Sequence, residues 1–289
     1  MAGELVWKSL SNARRSQQES AGASREPSVV FVGTEGSGKT ILISSFIYKS
    51  RPDDLKPTIG VDYKYTRSSP TSGNDLGGKL VTHFWEIGGG QLYSAALPVV
   101  LTPSAMAVIV IDLSRPATIV PDLLFWLSQL TSCAGSASAP QIVIIGNKYD
   151  AMPTKDADLI GRTLRAMAMP YNAMLFYHSS DNKALQQQFR TVITRFILDK
   201  PNAKSAAQTD PTRPLMIPSG ADSPDAIGHP PGGGGLEAWP AAFRRVFPEP
   251  PAQRIVLPGE QQLEPEPVVD ALWVQKRDEP IRKVEPSRS

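Results

Sequence analysis

A glycine-rich stretch near the start constrains this chain more than any other feature. From Gly33 to Thr40 the sequence matches the pattern G-x-x-x-x-G-K-[ST] in full. The apolar residues 29–32 before it predict a buried strand, and residues 41–49 after it predict a helix. Because a strand precedes the loop and a helix follows it, we favour a phosphate-binding loop over an ordinary glycine turn.

The chemistry of phosphate binding requires these residue types at this spacing. Glycines let successive backbone N–H groups turn inward around a phosphate, along a path that Cβ atoms would obstruct. A lysine then reaches the β- and γ-phosphates, and a hydroxyl at the helix N-terminus can ligate Mg²⁺. The predicted nucleotide-binding residues of the loop are Gly33, Gly36, Ser37, Gly38, Lys39 and Thr40.

Strand and helix patterns alternate from residue 28 to about residue 200. Residues 61–66 and 80–85 predict a hairpin with a long tip, and 107–112, 141–145 and 173–177 predict further strands. Helical spacing separates them at residues 118–130, 156–169 and 184–198. This alternation predicts an α/β domain of three layers, with a mostly parallel sheet between helices. A ligand is expected at the carboxyl ends of the strands.

A second motif, Asn147-Lys148-Tyr149-Asp150, directly follows one of these strands and reads N-K-x-D. An aspartate can accept two hydrogen bonds from guanine N1–H and N2–H, which adenine cannot offer. In this interpretation Asp150 reads the base, Asn147 orients it and Lys148 lies along its face. By itself this four-residue match is weak evidence for base recognition, because an ordinary polar turn could contain the same residues. After a complete phosphate-binding loop it predicts guanine recognition.

A third stretch, from Phe84 to Gln91, also lies at the end of a predicted strand. Glu86 there could hold Mg²⁺ through water, and the Gly89 N–H could meet a γ-phosphate. Upstream, Thr58 could close over the metal as a switch threonine. The alternatives stay open: Thr58 as a solvated loop hydroxyl, and the three glycines as a flexible turn without a ligand.

Composition narrows the classes of protein. The net charge of +2 gives no basic stripe for nucleic acid, so no nucleic-acid partner is expected. The single cysteine, Cys133, excludes an internal disulfide and a cysteine-built zinc site. Since no apolar run reaches membrane-spanning length and the N-terminus lacks a secretory signal, we expect a soluble cytoplasmic protein.

The two ends of the chain differ from its centre. Residues 1–26 carry Leu5, Trp7 and Leu10 and predict a short amphipathic helical arm with a linker. Residues 201–289 hold more than half of the 27 prolines and predict an extended tail with short helices. Its aromatic islands could bind a larger partner or fold back onto their own domain. They contain Trp239, Phe243, Phe247, Leu272 and Trp273.

These motifs together resemble the Ras-like small GTPases, with residues 56–62 most similar to Rab proteins. The resemblance spans residues 27–200 and implies a P-loop G domain that binds GTP or GDP with Mg²⁺. Two departures stand out: Glu86 replaces the family's aspartate, and Gly90 replaces the glutamine that orients the attacking water. The guanine-loop motif S-A-K is also degraded, to Ser179-Ser180-Asp181. We therefore expect nucleotide binding without efficient hydrolysis, and so no enzyme.

A closer resemblance covers nearly the whole chain. The segments 56–65, 83–90, 143–150 and 214–223 are similar to those of the cytoplasmic dynein-2 light intermediate chains. This family implies a non-catalytic subunit that binds and stabilises the dynein-2 heavy chain for retrograde intraflagellar transport. The implied partners are the heavy chain, other dynein-2 subunits and the intraflagellar transport machinery. The implied locations are the cytoplasm, the cytoskeleton, the cilium or flagellum and the basal body.

A Rab-like switch that slowly hydrolyses GTP is the alternative function. Such a membrane switch needs a lipid anchor, yet the sequence ends in Pro286-Ser287-Arg288-Ser289 without a cysteine and starts without a myristoylation signal. We therefore expect no direct membrane anchor and favour the motor subunit, with the apolar arm and tail residues as its partner-binding anchors.

Overall fold

The computed structural model describes residues 26–48, 56–68, 80–133, 140–200 and 206–249. All of them lie in one compact unit of the chain. Within the described part the strands are β1 (Ser28–Gly33), β2 (Val61–Ser68), β3 (Leu80–Ile87), β4 (Met106–Asp112), β5 (Gln141–Asn147), β6 (Met174–Tyr177) and β7 (Met216–Ile217).

The helices alternate with these strands much as the sequence predicts. They are α1 (Lys39–Tyr48), α2 (Leu97–Val100), α3 (Pro116–Cys133), α4 (Ala157–Ala168), α5 (Lys183–Ile197), α6 (Pro224–Ile227) and α7 (Trp239–Val246). Short 3₁₀ turns cover Gly90–Ala96, Tyr149–Ala151, Thr154–Asp156, Met169–Tyr171 and Leu236–Ala238. None of the helices in the described ranges is long and apolar enough to cross a membrane.

The strands form one sheet in the order β2-β3-β1-β4-β5-β6-β7. Pairing is parallel from β3 through β1, β4 and β5 to β6, and antiparallel only at the two edges, β2–β3 and β6–β7. The central strands are buried on both faces, which explains their continuous apolar runs. Helices α3 and α4 pack on one face, while α1 and α5 pack on the other. The predicted α/β fold is confirmed.

The segment 206–249 packs against the domain, although the sequence predicted an extended tail there. Strand β7 pairs with β6, with Leu175 opposite Ile217. On the outer face of α4, the Arg165 guanidinium donates two hydrogen bonds to Asp222, of 2.8 Å from Nε and 2.7 Å from Nη2. Both side chains of this pair are more than nine-tenths buried. The folded domain therefore extends past residue 200, where the sequence placed its end.

The structure contradicts the prediction that Trp239 and Phe243 anchor a partner. Trp239 is 2% exposed, packs against Ile227 and Ala166, and donates a hydrogen bond from Nε1 to the Gly228 carbonyl. Phe243 is 1% exposed and belongs to the main core. Phe247 is half-buried, with its ring centroid 4.9 Å from that of Phe243. The apolar face of α7 is thus buried within the chain, because it packs on an apolar surface of α4.

This packing predicts a large difference between two substitutions on α7. Trp239→Ala removes a buried ring and should lower the free energy of unfolding by about 3–5 kcal/mol. Val246→Ala, at a side chain that is 52% exposed, should change it by less than about 1 kcal/mol. Urea unfolding of the full chain measures both. Equal stability of the two variants would show that the segment does not pack as described.

Candidate functional site

The glycine-rich loop leaves the carboxyl end of β1 and enters α1 at Lys39. Gly33 has φ of 143°, and a Cβ built there would lie 2.2 Å from the Val110 carbonyl oxygen on β4. Gly38 has φ of 98°, and a Cβ would lie 2.3 Å from Nδ2 of Asn147. Both positions therefore require glycine, because strand β4 and the Asn147 side chain at the end of β5 approach the backbone closely.

Lys39 lies in the concave side of this loop and is 4% exposed. Its Nζ donates to the carbonyl oxygens of Gly33 at 3.0 Å and Thr34 at 2.8 Å. Burial lowers the pKa of the ammonium group, and the nearby Glu86 carboxylate partly offsets this. The side chain is thus held over the loop, where a phosphate would contact both the ammonium group and the backbone N–H groups.

Three oxygen-bearing side chains meet beside Lys39. The Thr40 hydroxyl donates to Oε1 of Glu86 at 2.7 Å and lies 3.2 Å from the Thr58 hydroxyl. Glu86 is 3% exposed, and burial raises its pKa while the hydrogen bond from Thr40 opposes the rise. Among the described residues its Oε2 has no hydrogen-bond partner. An unsatisfied buried carboxylate oxygen next to two hydroxyls fits an oxygen-coordinated Mg²⁺.

These residues border a cleft of about 220 Å³. Its walls are the glycine-rich loop, the segment around Thr58 and the end of β3. A Cβ on Gly88 would lie 2.2 Å from the Thr58 carbonyl oxygen, and the Gly88 N–H donates to the Gly60 carbonyl at 2.7 Å. The segment around Thr58 and the segment after β3 therefore contact each other directly. Gly89, also predicted to bind nucleotide, lines the same cleft.

The N-K-x-D residues lie at the carboxyl end of β5, next to the glycine-rich loop. Nδ2 of Asn147 donates to the Ser37 carbonyl at 2.7 Å, and Oδ1 accepts from Nδ1 of His178 at 2.9 Å. Lys148 adopts a left-handed conformation with φ of 59°. Asp150 is exposed and accepts a hydrogen bond from the Ser179 hydroxyl. Its carboxylate is therefore accessible from solvent and can accept hydrogen bonds from the N–H groups of a base.

Sequence reasoning missed a charged cluster that joins these loops. Asp112, fully buried at the end of β4, accepts hydrogen bonds from Nζ of Lys148 at 2.7 Å and Nε of Arg115 at 3.0 Å. Burial alone would raise the pKa of Asp112, but hydrogen bonds from Lys148 and Ser114 outweigh it and lower that pKa. Arg115 also donates from Nη2 to the Glu35 carbonyl at 3.0 Å. The sequence feature that could have indicated this cluster is an acidic residue at the end of an apolar strand.

Sequence reasoning also missed His178 and Ser179, which orient Asn147 and Asp150. Ser179 belongs to the degraded S-A-K motif, and its contact with Asp150 persists despite the changes at the next two positions. Of the predicted partner-binding residues, Leu5, Trp7, Leu10, Leu272 and Trp273 lie outside the described residues. In the described ranges no group of three or more His, Cys, Asp or Glu side chains is arranged to hold a metal ion.

The sheet order and the glycine-rich loop between β1 and α1 are those of a P-loop α/β fold. The profile of the Roc domain family (Ras of Complex, Roc, domain of DAPkinase) matches residues 28–150. The chain as a whole is similar to proteins named cytoplasmic dynein 2 light intermediate chain 1. The zebrafish protein (Danio rerio) is 26% identical, across 94% of this chain and 89% of its own length. The mouse protein (Mus musculus) is 29% identical, across 96% and 95%. The bovine protein (Bos taurus) is 27% identical, across 86% and 85%.

The buried histidine predicts a pH dependence of stability. Burial lowers the pKa of His178 to about 4, with the Asp150 carboxylate opposing. The unfolded ring, with its ordinary pKa near 6.5, becomes protonated as the pH falls from 7 to 5, while the folded ring stays neutral. The free energy of unfolding therefore decreases over this pH range. Wild type should lose about 2 kcal/mol from this group between pH 7 and pH 5, and His178→Gln should not.

Urea unfolding of both proteins at the two pH values measures this difference. Burial raises the pKa of Asp122 to about 6, so the titration of this carboxyl group adds stability as the pH falls. This contribution is the same in wild type and variant and cancels when the two are compared. Equal losses in wild type and variant would contradict the assigned burial of the neutral ring.

Proposed function

We propose that this chain is a non-catalytic light intermediate chain of a dynein-2 motor, in which the G domain is a scaffold. The observation that carries the proposal is the similarity to named dynein-2 light intermediate chains across 86–96% of the chain. It includes the segment 214–223, which lies outside the Ras-like motifs and contributes Asp222 to the buried pair with Arg165. A general small-GTPase origin would not account for likeness in that segment.

In this role the protein binds and stabilises the heavy chain, and works with the other motor subunits in retrograde intraflagellar transport. Its locations are the cytoplasm and the cilium or flagellum, including the basal body. The predicted anchors Leu5, Trp7, Leu10, Leu272 and Trp273 stay predictions. Since α7 buries Trp239 and Phe243 within the domain, neither contributes an anchor in this conformation. Their role is to hold the segment 206–249 in place.

We propose further that the site holds a guanine nucleotide with Mg²⁺. Gly33, Gly36, Ser37, Gly38 and Lys39 would hold the phosphates. Thr40 and Thr58 would ligate the metal and Glu86 would approach it through water, while Asn147, Lys148 and Asp150 would hold the base. The metal would neutralise charge on the phosphate oxygens. The unsatisfied Oε2 of Glu86 and the glycine cradle around Lys39 support this assignment.

Hydrolysis is proposed to be slow, because no side chain at residue 90 orients a water molecule. Gly90 has φ of 60°, and its nearest non-neighbouring heavy atom is the Glu35 nitrogen, 3.5 Å from the position of a Cβ. The second candidate function, a GTPase switch, is favoured by one observation: Lys39, Thr40, Thr58 and Glu86 converge on one cleft. The experiments below separate the two.

Guanine specificity is tested by nucleotide content. Protein purified without added nucleotide should release GDP or GTP on denaturation, and no adenine nucleotide, because Asp150 can accept two hydrogen bonds from guanine. Asp150→Ala should weaken guanine binding by about 1–3 kcal/mol, the cost of an unmet donor pair. Chromatography of the released nucleotide and calorimetric titration measure the two effects. Release of ATP would refute the assignment.

Single-turnover assays with saturating Mg²⁺ test the hydrolysis proposal. The wild-type rate should be no faster than intrinsic small-GTPase turnover, on the order of 10⁻⁴ per second. Gly90→Gln supplies the missing amide at a backbone position whose φ of 60° strains a side chain, and should raise the rate, whereas Gln91→Ala should leave it unchanged. A wild-type rate far above this value without any partner would instead favour the switch.

Co-purification of the dynein heavy chain tests the scaffold role. Lys39→Ala and Thr40→Ala should reduce nucleotide content but leave heavy-chain association largely intact, apart from losses through lower domain stability. Leu272→Ala with Trp273→Ala should weaken association, since large apolar anchors dominate interfaces. Val246→Ala, at an exposed position on α7, is the matched control. If folded P-loop variants lose the heavy chain while the tail variant keeps it, association depends on nucleotide and the scaffold proposal fails.

A further inference from the structure

A buried carboxyl group on α3 lies beside the glycine-rich loop without belonging to the nucleotide cleft. Asp122 is 5% exposed, and it is not among the described residues that border the cleft. Its Oδ2 is buried and has no hydrogen-bond partner in the part of the chain that the structure describes. Because a buried carboxyl oxygen without a partner is costly, the position of this group calls for a physical reason.

The carboxyl group of Asp122 faces the second residue of the loop, Thr34. The Thr34 hydroxyl oxygen is also buried and, within the described ranges, also lacks a hydrogen-bond partner. Burial raises the pKa of Asp122 to about 6, and the hydroxyls of Thr118 and Thr34 are close enough to oppose the rise. Two buried polar groups thus face each other between α3 and the loop without completing a hydrogen bond. A small side-chain rotation would complete it.

Thr34 is connected to the groups of the loop that would hold a phosphate. Its carbonyl oxygen accepts hydrogen bonds from Nζ of Lys39 at 2.8 Å and from the Ser37 N–H at 3.3 Å. The next carbonyl, that of Glu35, accepts from Nη2 of Arg115 at 3.0 Å. The position of Thr34 therefore affects both the ammonium group and the backbone N–H groups of the phosphate site.

Charged groups act on Asp122 from three elements. After burial and the two hydroxyls, Arg115 lowers the pKa of Asp122, and Asp112 at the end of β4 raises it. Burial lowers the pKa of Lys39 at the start of α1, and the Asp122 carboxylate is among the groups that oppose this. A phosphate beside Lys39 would bring further negative charge to this side of Asp122. Since like charges disfavour ionisation, a bound phosphate favours the neutral carboxyl group.

We propose that Asp122 is a positioning residue for the phosphate loop, whose neutral carboxyl group donates a hydrogen bond to Oγ1 of Thr34 when a phosphate is bound. Phosphate binding is then accompanied by the transfer of a proton from solvent to the ionised carboxylate. An ionised carboxylate could accept a hydrogen bond from Thr34, but its charge would still face the phosphate. The inference rests on the proposed nucleotide site, and it adds a link between that site and pH.

Asp122→Asn imitates the neutral carboxyl group, because its amide N–H can donate to the same oxygen without a negative charge. For a tenfold preference of the bound state for the neutral form, wild type should gain about sixfold more GDP affinity than the variant between pH 7.5 and pH 5.5. At pH 7.5 the variant should bind GDP about eightfold more tightly than wild type. Loss of a merely structural contact would weaken binding instead.

Calorimetric titration of the full chain with GDP and Mg²⁺ measures the proton uptake directly. In PIPES and in imidazole buffer at pH 6.5, the difference in binding heat should show that wild type takes up about half a proton more than Asp122→Asn. Thr34→Val removes the hydroxyl at similar volume and should lower the uptake to near that of Asp122→Asn. Asp158→Asn, at an exposed carboxylate on α4, is the matched control and should behave as wild type.

Thermal unfolding verifies that each variant is folded. Weaker GDP binding by folded Asp122→Asn at pH 7.5, or the same proton uptake as in wild type, would overturn the proposal. An unchanged uptake in Thr34→Val would overturn the route through the Thr34 hydroxyl. If wild type binds neither GDP nor GTP, the proposed nucleotide site fails together with this inference. The other contrary outcomes occur with nucleotide bound and refute this inference alone.

Discussion

The close approach of the glycine-rich loop to the ends of its neighbouring strands is the constraint on which the rest of the site depends. Gly33 packs against the Val110 carbonyl, and Asn147 reaches across to hold the Ser37 carbonyl at 2.7 Å. These contacts fix the loop from β4 on one side and from β5 on the other. Lys39 and Thr40 are then positioned by the backbone that carries them. The N-K-x-D motif and the glycine-rich loop are thus joined by direct contacts.

Asp112 extends this assembly electrostatically. A fully buried carboxylate is costly unless it is paired and hydrogen-bonded, and here Lys148, Arg115 and Ser114 supply those partners. Arg115 also donates a hydrogen bond to the Glu35 carbonyl. The charged cluster around Asp112 therefore connects β4, the glycine-rich loop and the N-K-x-D motif. These side-chain contacts assemble the site without a ligand.

Much of this could be predicted from the sequence, and the reasons differ by element. The central strands were predictable because burial on both faces leaves continuous apolar runs, as in β4. The residues of the glycine-rich loop and N-K-x-D followed from spacing that phosphate and guanine chemistry requires. The structure places the N-K-x-D residues beside the glycine-rich loop, where Asn147 donates to the Ser37 carbonyl, and the ligand of both motifs remains a proposal. The differences from the Ras-like pattern at Glu86 and Gly90 could be read directly from the sequence.

What could not be predicted depends on contacts between distant parts of the chain. Arg165 and Asp222 are far apart in sequence, and nothing local to either indicates a buried pair. The helical spacing of Trp239 and Phe243 fits a surface on a partner as well as one on α4, so the pattern could not choose between them. Asp112 and His178 are single residues whose roles arise only from the neighbours that other strands bring.

The central claim is that the G domain has one shape, which serves as a scaffold, and does not switch with nucleotide. Thr58 already contacts Thr40, and the Gly88 N–H donates to the Gly60 carbonyl, so the segment around Thr58 is restrained from two sides. Hydrogen–deuterium exchange of the full chain, loaded with GDP or with a non-hydrolysable GTP analogue, tests this most directly. The account predicts the same protection at residues 56–60 and 86–90 in both states. Strong protection of these segments by the GTP analogue alone would contradict it and identify a switch.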